Sequence, residues 1–300
     1  MERDTPIPYI ERTRNYYAAL GYPAPYRWAE NAEVPFQPPA KPLGASRIAL
    51  ITTAALRRPG HGNQEPGAAY NGAAKFSKVY SAETKTEPAL GINHVAIDFK
   101  HATGEDMGSY FPLLALRRAA IGRRIGGITE HFHGVPTNRS QRVTREDHAP
   151  EVLARCRADG ADAALLVPNC PVCHQSLTLV ARHLEANGIP TVVMGAASDI
   201  VELAGVPRFV FSDFPLGNAA GRPNDPASQD LTLSLALDLL QQATGPRSVV
   251  QSPLRWREDP SWKRDYGHVE GLSAAELAAL RADFETQKAA GKAAQQPSGG

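Results

Sequence analysis

The sequence predicts an α/β fold: a mainly parallel sheet with helices on both faces, doubly wound in the Rossmann-like manner, between a proline-rich N-terminal arm and a helical C-terminal tail. Three observations carry this. Short apolar runs of strand length alternate with longer stretches of helical periodicity from Arg47 to about Val249. The segment from Asp162 to Gly195 reads as a complete β-α-β unit. Its strands are apolar throughout instead of alternating, the pattern of strands covered on both sides. With 300 residues, 42% of them hydrophobic, the chain has material for one large or two small cores.

Residues 1–44 read as an arm. Pro6, Pro8, Pro23, Pro25, Pro35, Pro38 and Pro39 leave few places for a helix or a strand ladder, because proline lacks the amide donor. The arm's aromatics, among them Tyr9, Tyr17, Tyr22, Tyr26 and Trp28, predict that it packs on the body or on a second copy, so a homo-oligomer is expected. Residues 45–140 form a first α/β half. Its strands are Arg47 to Thr52, Asn93 to Asp98 and Arg124 to Thr129, and its helix runs from Phe111 to a stop at Gly122.

Residues 141–255 form the second half. A helix from Arg145 to Ala158 stops at Asp159-Gly160, and the strand Ala163 to Val167, the helix Cys170 to Ala186 and the strand Pro190 to Met194 follow. Along the helix, Cys170, Cys173, Leu177, Val180, Ala181 and Leu184 share one stripe, while Gln175, Ser176, Arg182, His183 and Glu185 fall on the other side. A helix from Asp199 to Ala204, a strand from Arg208 to Phe214 and a helix from Pro226 to Ala243 complete the half; Asp225 is the expected cap of the last. Sheet signals cease after Val249. Residues 256–300 hold a helix from Ser273 to Lys288 and a polar tail of small residues.

Lys and Arg number 32 against 31 Asp and Glu, so no overall field draws the chain to nucleic acid or to anionic lipid. No apolar run approaches the ~20 residues of a membrane span. Residues 1–15 mix both charge signs without an apolar core, so no secretory signal is read and a cytoplasmic location is expected.

Three cysteines are too few for a disulfide framework, but Cys170 and Cys173 stand three apart where a strand ends and its crossover helix begins. Open α/β sheets bind ligands at that edge. Free amides and the positive helix end favour a thiolate there, so Cys170 is expected to be the lower-pKa sulfur and Cys173 its resolving partner. His174 is the candidate acid or base. Candidate substrate-binding residues at strand ends are Thr53, His131, His133, Asn169, Asp213 and Asn218; Asp98, His101 and Asn138 are further polar groups there, and Asp199 is read as a helix cap. No cofactor is required by this chemistry. The alternative is a zinc or iron site built from Cys170, Cys173, His131 and His133. C-P-V-C-H also has haem-attachment spacing, which the missing export signal disfavours.

The segments Lys41 to Thr53, Gly104 to Pro112, Arg124 to Ile128, Asn169 to Gln175, Gly188 to Thr191 and Phe214 to Gly217, with Gln229 after them, occur in an order that resembles one family. It is the glycine/sarcosine/betaine reductase selenoprotein B and D-proline reductase group, and the resemblance runs from about Pro39 to about Pro253. In that group a selenocysteine three residues before the first of two such cysteines attacks substrate during reductive C–N cleavage. Here that position is Val167, which is no nucleophile. The resemblance therefore implies the scaffold and a dithiol at the same place. The expected protein is a reductase in which Cys170 attacks a small electrophilic substrate, Cys173 resolves the adduct and an external dithiol reductant restores the pair. The proline branch has a pyruvoyl-bearing partner, so a second subunit is among the expected partners. The alternative is a metal-binding or accessory subunit that kept the fold without the chemistry.

Overall fold

The computed structural model describes residues 5–22, 24–57, 76–92, 97, 98, 100–137 and 139–293. Its centre is an eight-stranded sheet whose middle strands are apolar on both faces. β1 (Arg47–Thr52), β7 (Ala163–Val167), β8 (Thr191–Gly195) and β9 (Arg208–Phe211) are almost wholly buried, as the continuous apolar runs predict. β1 lies between β7 on one side and β5 (Gly127–Ile128) with β6 (His131–Gly134) on the other, all parallel. Outward from β7 come β8, β9 and β10 (Ser248–Gln251), again parallel; outward from β6 comes β3 (Tyr80–Glu83), antiparallel. A separate two-stranded ladder joins β2 (Ala55–Leu56) to β4 (Leu90–Gly91). Strands from residues 45–140 and from residues 141–255 thus share one sheet.

Two helical layers cover the sheet. On one face α2 (Leu113–Ile121) and α7 (Pro226–Gln242) pack Leu113, Leu116, Leu233 and Leu237 against Ile48, Leu50 and Leu165. On the other, α4 (Ala149–Ala158), α5 (Pro171–Ala186) and α6 (Ser198–Ala204) pack Val152, Leu177, Val180 and Val201 against Ile51, Leu166 and Val193. Asp225 caps α7 through the Ser228 amide at 3.0 Å, as expected. α3 (Gln141–Val143) runs into α4 through a wide turn at Thr144–His148. Among the described residues no helix is long and apolar enough to cross a membrane.

Several expectations need correction. The arm contains a helix, α1 (Tyr9–Ala19), whose start falls just after Pro8, and its Ile10 amide donates to Asp199 Oδ2 at 2.8 Å. Asp199, expected to cap its helix, lies instead inside the first turn of α6, where Ala197 takes the cap position without a side-chain bond, and its carboxylate holds the arm. The arm packs on the body: Ile7 and Tyr9 join Ala196, Ile200, Leu216 and Trp262 in one cluster. The supposed solvent side of α5 is covered as well, with Gln175, Ser176 and Glu185 buried. Gln175 accepts from the Ala29 amide at 2.7 Å, and Glu185 accepts from the Gln37 amide. β10 continues the sheet beyond the last apolar signal, pairing with β9 from Ser248 to Gln251. α8 (Ala274–Ala293) is the predicted C-terminal helix and extends past Lys288. The strand expected at Asn93 to Asp98 falls mostly outside the described residues.

Candidate active site

A parallel sheet opens a crevice where successive connections leave a strand in opposite directions. Here that point lies at the C-terminal end of β1, flanked by β6 and β7, and three chain segments meet there: the residues after β1, after β6 and after β7. Thr53 follows β1. Its Oγ1 accepts from the Asn169 amide at 3.2 Å and from Asn169 Nδ2 at 3.3 Å, so these two expected residues do come together. Asn169 is fully buried and its Oδ1 has no hydrogen-bond partner.

Cys170 caps α5. Its backbone is extended and its Sγ accepts from the Cys173 amide at 3.3 Å, in the manner of an N-cap side chain. Pro171 occupies the first helical position, where an amide would have had no partner. One helical turn brings the Cys173 sulfur to 2.7 Å from that of Cys170, and the two are not joined in a disulfide. Thr137, after β6, places Oγ1 at 2.9 Å from Cys173 Sγ.

The electrostatics differ from the expected thiolate. Cys170 is 4% exposed and Cys173 fully buried, and burial, reinforced by the hydrogen bond with Cys173, pushes the Cys170 thiol well above its ordinary pKa. The helix N-terminus favours the anion by a small margin, and loss of water outweighs it. Burial raises the hydroxyl pKa of Tyr17 on α1 and of Tyr266, and the nearness of Cys170 adds to both. Tyr9 and Tyr266 meet edge to face with ring centres 5.1 Å apart.

Both ring nitrogens of His174, the candidate acid or base, are engaged by the backbone. Nδ1 lies 2.7 Å from the Cys170 carbonyl and Nε2 accepts from the Ala196 amide at 2.9 Å, which assigns a neutral ring protonated at Nδ1. It is fully buried, and burial lowers its pKa to about 4. Its work is to tie the cysteine turn to the end of β8.

The two other candidate histidines stand elsewhere. The chain between Ile128, which pairs with Ile48, and His133, which pairs with Ile51, holds two more residues than the matching stretch of β1. The strand therefore runs on past Thr129, and His131 and His133 lie within the sheet instead of at its edge. His131 Nδ1 is 3.1 Å from Asp159 Oδ1, while His133 Nδ1 meets Ser81 Oγ at 2.9 Å. Burial lowers the pKa of His133 to about 4. The set Cys170, Cys173, His131 and His133 is not brought together, and among the described residues no three of His, Cys, Asp and Glu form a metal-binding group.

Asp213 and Asn218 lie after β9, two strands from β7. Asp213 pairs with Lys263, and Asn218 Nδ2 reaches the His101 carbonyl at 3.5 Å. Asp98 is a stronger candidate than either: it is 4% exposed, its Oδ2 has no hydrogen-bond partner, and burial pushes its carboxyl up to about 6. Nearby, His101 Nε2 lies 2.7 Å from Asp265 Oδ2. Asn138 falls outside the described residues. Sequence reasoning missed Thr137, Tyr17 and Tyr266; placing the end of β6 at Gly134 would have put Thr137 at the sheet edge.

No family model matches the chain, and no solved structure matches it. It is 27% identical over 233 residues to the D-proline reductase subunit gamma of Acetoanaerobium sticklandii, across 74% of this chain and 92% of that protein. It is 24% identical over 230 residues to the glycine reductase complex component B subunit gamma of Symbiobacterium thermophilum, across 75% of this chain. There it spans about half of the relative, 52%. These two homologues, together with the ordered segments from Lys41 to Gly217, support the chain's membership of the glycine/sarcosine/betaine and D-proline reductase family.

Proposed function

We propose that this chain is a thiol-dependent oxidoreductase subunit working through Cys170 and Cys173. The observation that carries the reading is the pair of sulfurs 2.7 Å apart at the crevice beside β1. Cys170 Sγ bonds to an electrophilic atom of a small substrate, the bond from that atom to its leaving group breaks, and the leaving group departs with the electron pair and takes the thiol proton. Cys173 Sγ then attacks Cys170 Sγ, the sulfur–substrate bond breaks, and the substrate leaves with the electron pair and takes a proton. An external dithiol reduces the resulting disulfide by exchange. The relatives are by name a subunit gamma and a complex component, so a second subunit is part of the reading. Cys170 is buried with its thiol pKa raised, so the pair reacts when substrate or that subunit opens the site.

The test is mild oxidation of the full chain, followed by peptide mass analysis and reduction with dithiothreitol. The expected result is a reversible Cys170–Cys173 bond, absent in Cys170→Ser, and dithiol-dependent turnover that the same change abolishes. D-proline and glycine, named by the relatives, are the first substrates to try. Thiols that never pair, or turnover that survives Cys170→Ser, would refute the reading. Reversible pairing without turnover, alone or with a second subunit, would favour an accessory role. One observation already supports that second reading: Val167, where the family resemblance places the selenocysteine, is fully buried in β7.

A further inference from the structure

We propose that Thr137 is a positioning residue for the dithiol, donating its hydroxyl to the Cys173 sulfur and thereby favouring the reduced pair. This rests on the dithiol reading above. Thr137 Oγ1 lies 2.9 Å from Cys173 Sγ, and it arrives from the segment after β6, across the crevice from the helix that carries both cysteines. The hydroxyl also lies near enough to Cys170 to lower its thiol pKa, so it acts on both sulfurs. Cys170 has the backbone amide of Cys173 besides, which any substitution there except proline would preserve. The threonine hydroxyl is a side-chain donor, which one substitution removes. Cys173 is fully buried, so its sulfur has no exposed surface of its own.

The asymmetry between the two redox states follows from what sulfur accepts. A thiolate is a strong acceptor and a thiol a weak one, whereas a disulfide sulfur carries neither proton nor charge. The hydroxyl therefore stabilises the reduced pair more than the bonded one. In the exchange, the two thiols of a reducing dithiol become its disulfide, the Cys170–Cys173 bond breaks, and two electrons and two protons pass to the cysteines. Removing the hydroxyl shifts this equilibrium toward the protein disulfide.

The experiment equilibrates the full chain, as wild type, Thr137→Val and Thr137→Ser, in dithiothreitol redox buffers and counts the Cys170–Cys173 bond by peptide mass. Valine has the shape of threonine, and serine keeps the hydroxyl. The expected shift for Thr137→Val is about fivefold toward disulfide, the size of an ordinary hydrogen bond, or roughly 20 mV more negative. Thr137→Ser should return to within about twofold of wild type, and the midpoint pH of thiol alkylation should rise in Thr137→Val alone. A wild-type couple that Thr137→Val leaves unshifted, or a shift that Thr137→Ser shares, overturns the role of Thr137 and leaves the dithiol reading standing. A wild type that forms no such bond overturns both.

Discussion

Acidification offers a direct check on the two buried histidines. His174 and His133 are each held neutral by burial, with the pKa lowered from 6.5 to about 4. The unfolded chain binds a proton at each as pH falls through about 6.5, while the folded chain does not until about 4, so stability is complete above the first value and lost toward the second. Each pH unit between the two values is worth about 1.4 kcal/mol, so each histidine removes roughly 2 kcal/mol between pH 7 and pH 5. Asp98 acts with the opposite sign. Its carboxyl, pushed up to about 6, keeps a proton in the folded state that the unfolded chain releases, which returns about 1 kcal/mol over the same interval. The two histidines prevail. Urea midpoints of wild type and His174→Gln across this range provide the assay. Wild type should lose stability by a few kcal/mol on acidification. The variant should start lower, because its glutamine does not reproduce both bonds to Cys170 and Ala196, and should show a shallower slope. Stability that stays flat or rises toward pH 5, or a variant with the wild-type slope, would refute the reasoning.

Two packing predictions use the same urea assay. A methyl group at Gly195 would sit 2.8 Å from His174 Cδ2 and 3.0 Å from Phe209 Cε2, so Gly195→Ala should cost about 1–3 kcal/mol by over-packing. Arg208 and Glu185 are paired at 2.7 Å with both side chains fully buried, so Arg208→Met should cost about 3–5 kcal/mol by leaving the buried carboxylate without its cation. Adding Glu185→Leu should recover part of that loss, not all, because the Thr191 and Gln37 amides then lack their acceptor.

The central sheet was legible because a strand buried on both faces announces itself as a run of apolar residues, as Ala163 to Val167 does, and because Cys170 could be placed at the mouth of its crossover turn. What escaped was whatever depends on partners distant in sequence. β10 has two valines and owes its place to β9. The site histidines were misplaced because periodicity does not register two added residues between Ile128 and His133. Thr137 reaches Cys173 over a separation of 36 residues, and no local pattern marks it.

The largest error has the same origin and bears on chemistry. Helical spacing divides α5 into an apolar and a polar side, but it does not say that the polar side faces water. Gln175 and Glu185 face the arm instead, and accept from its Ala29 and Gln37 amides. The same reasoning, carried to the helix start, counted the favourable dipole at Cys170 without the burial that removes its water. A thiol at an open helix end would be set by its own turn. This one is buried, so the loss of water sets its pKa and outweighs the favourable helix end.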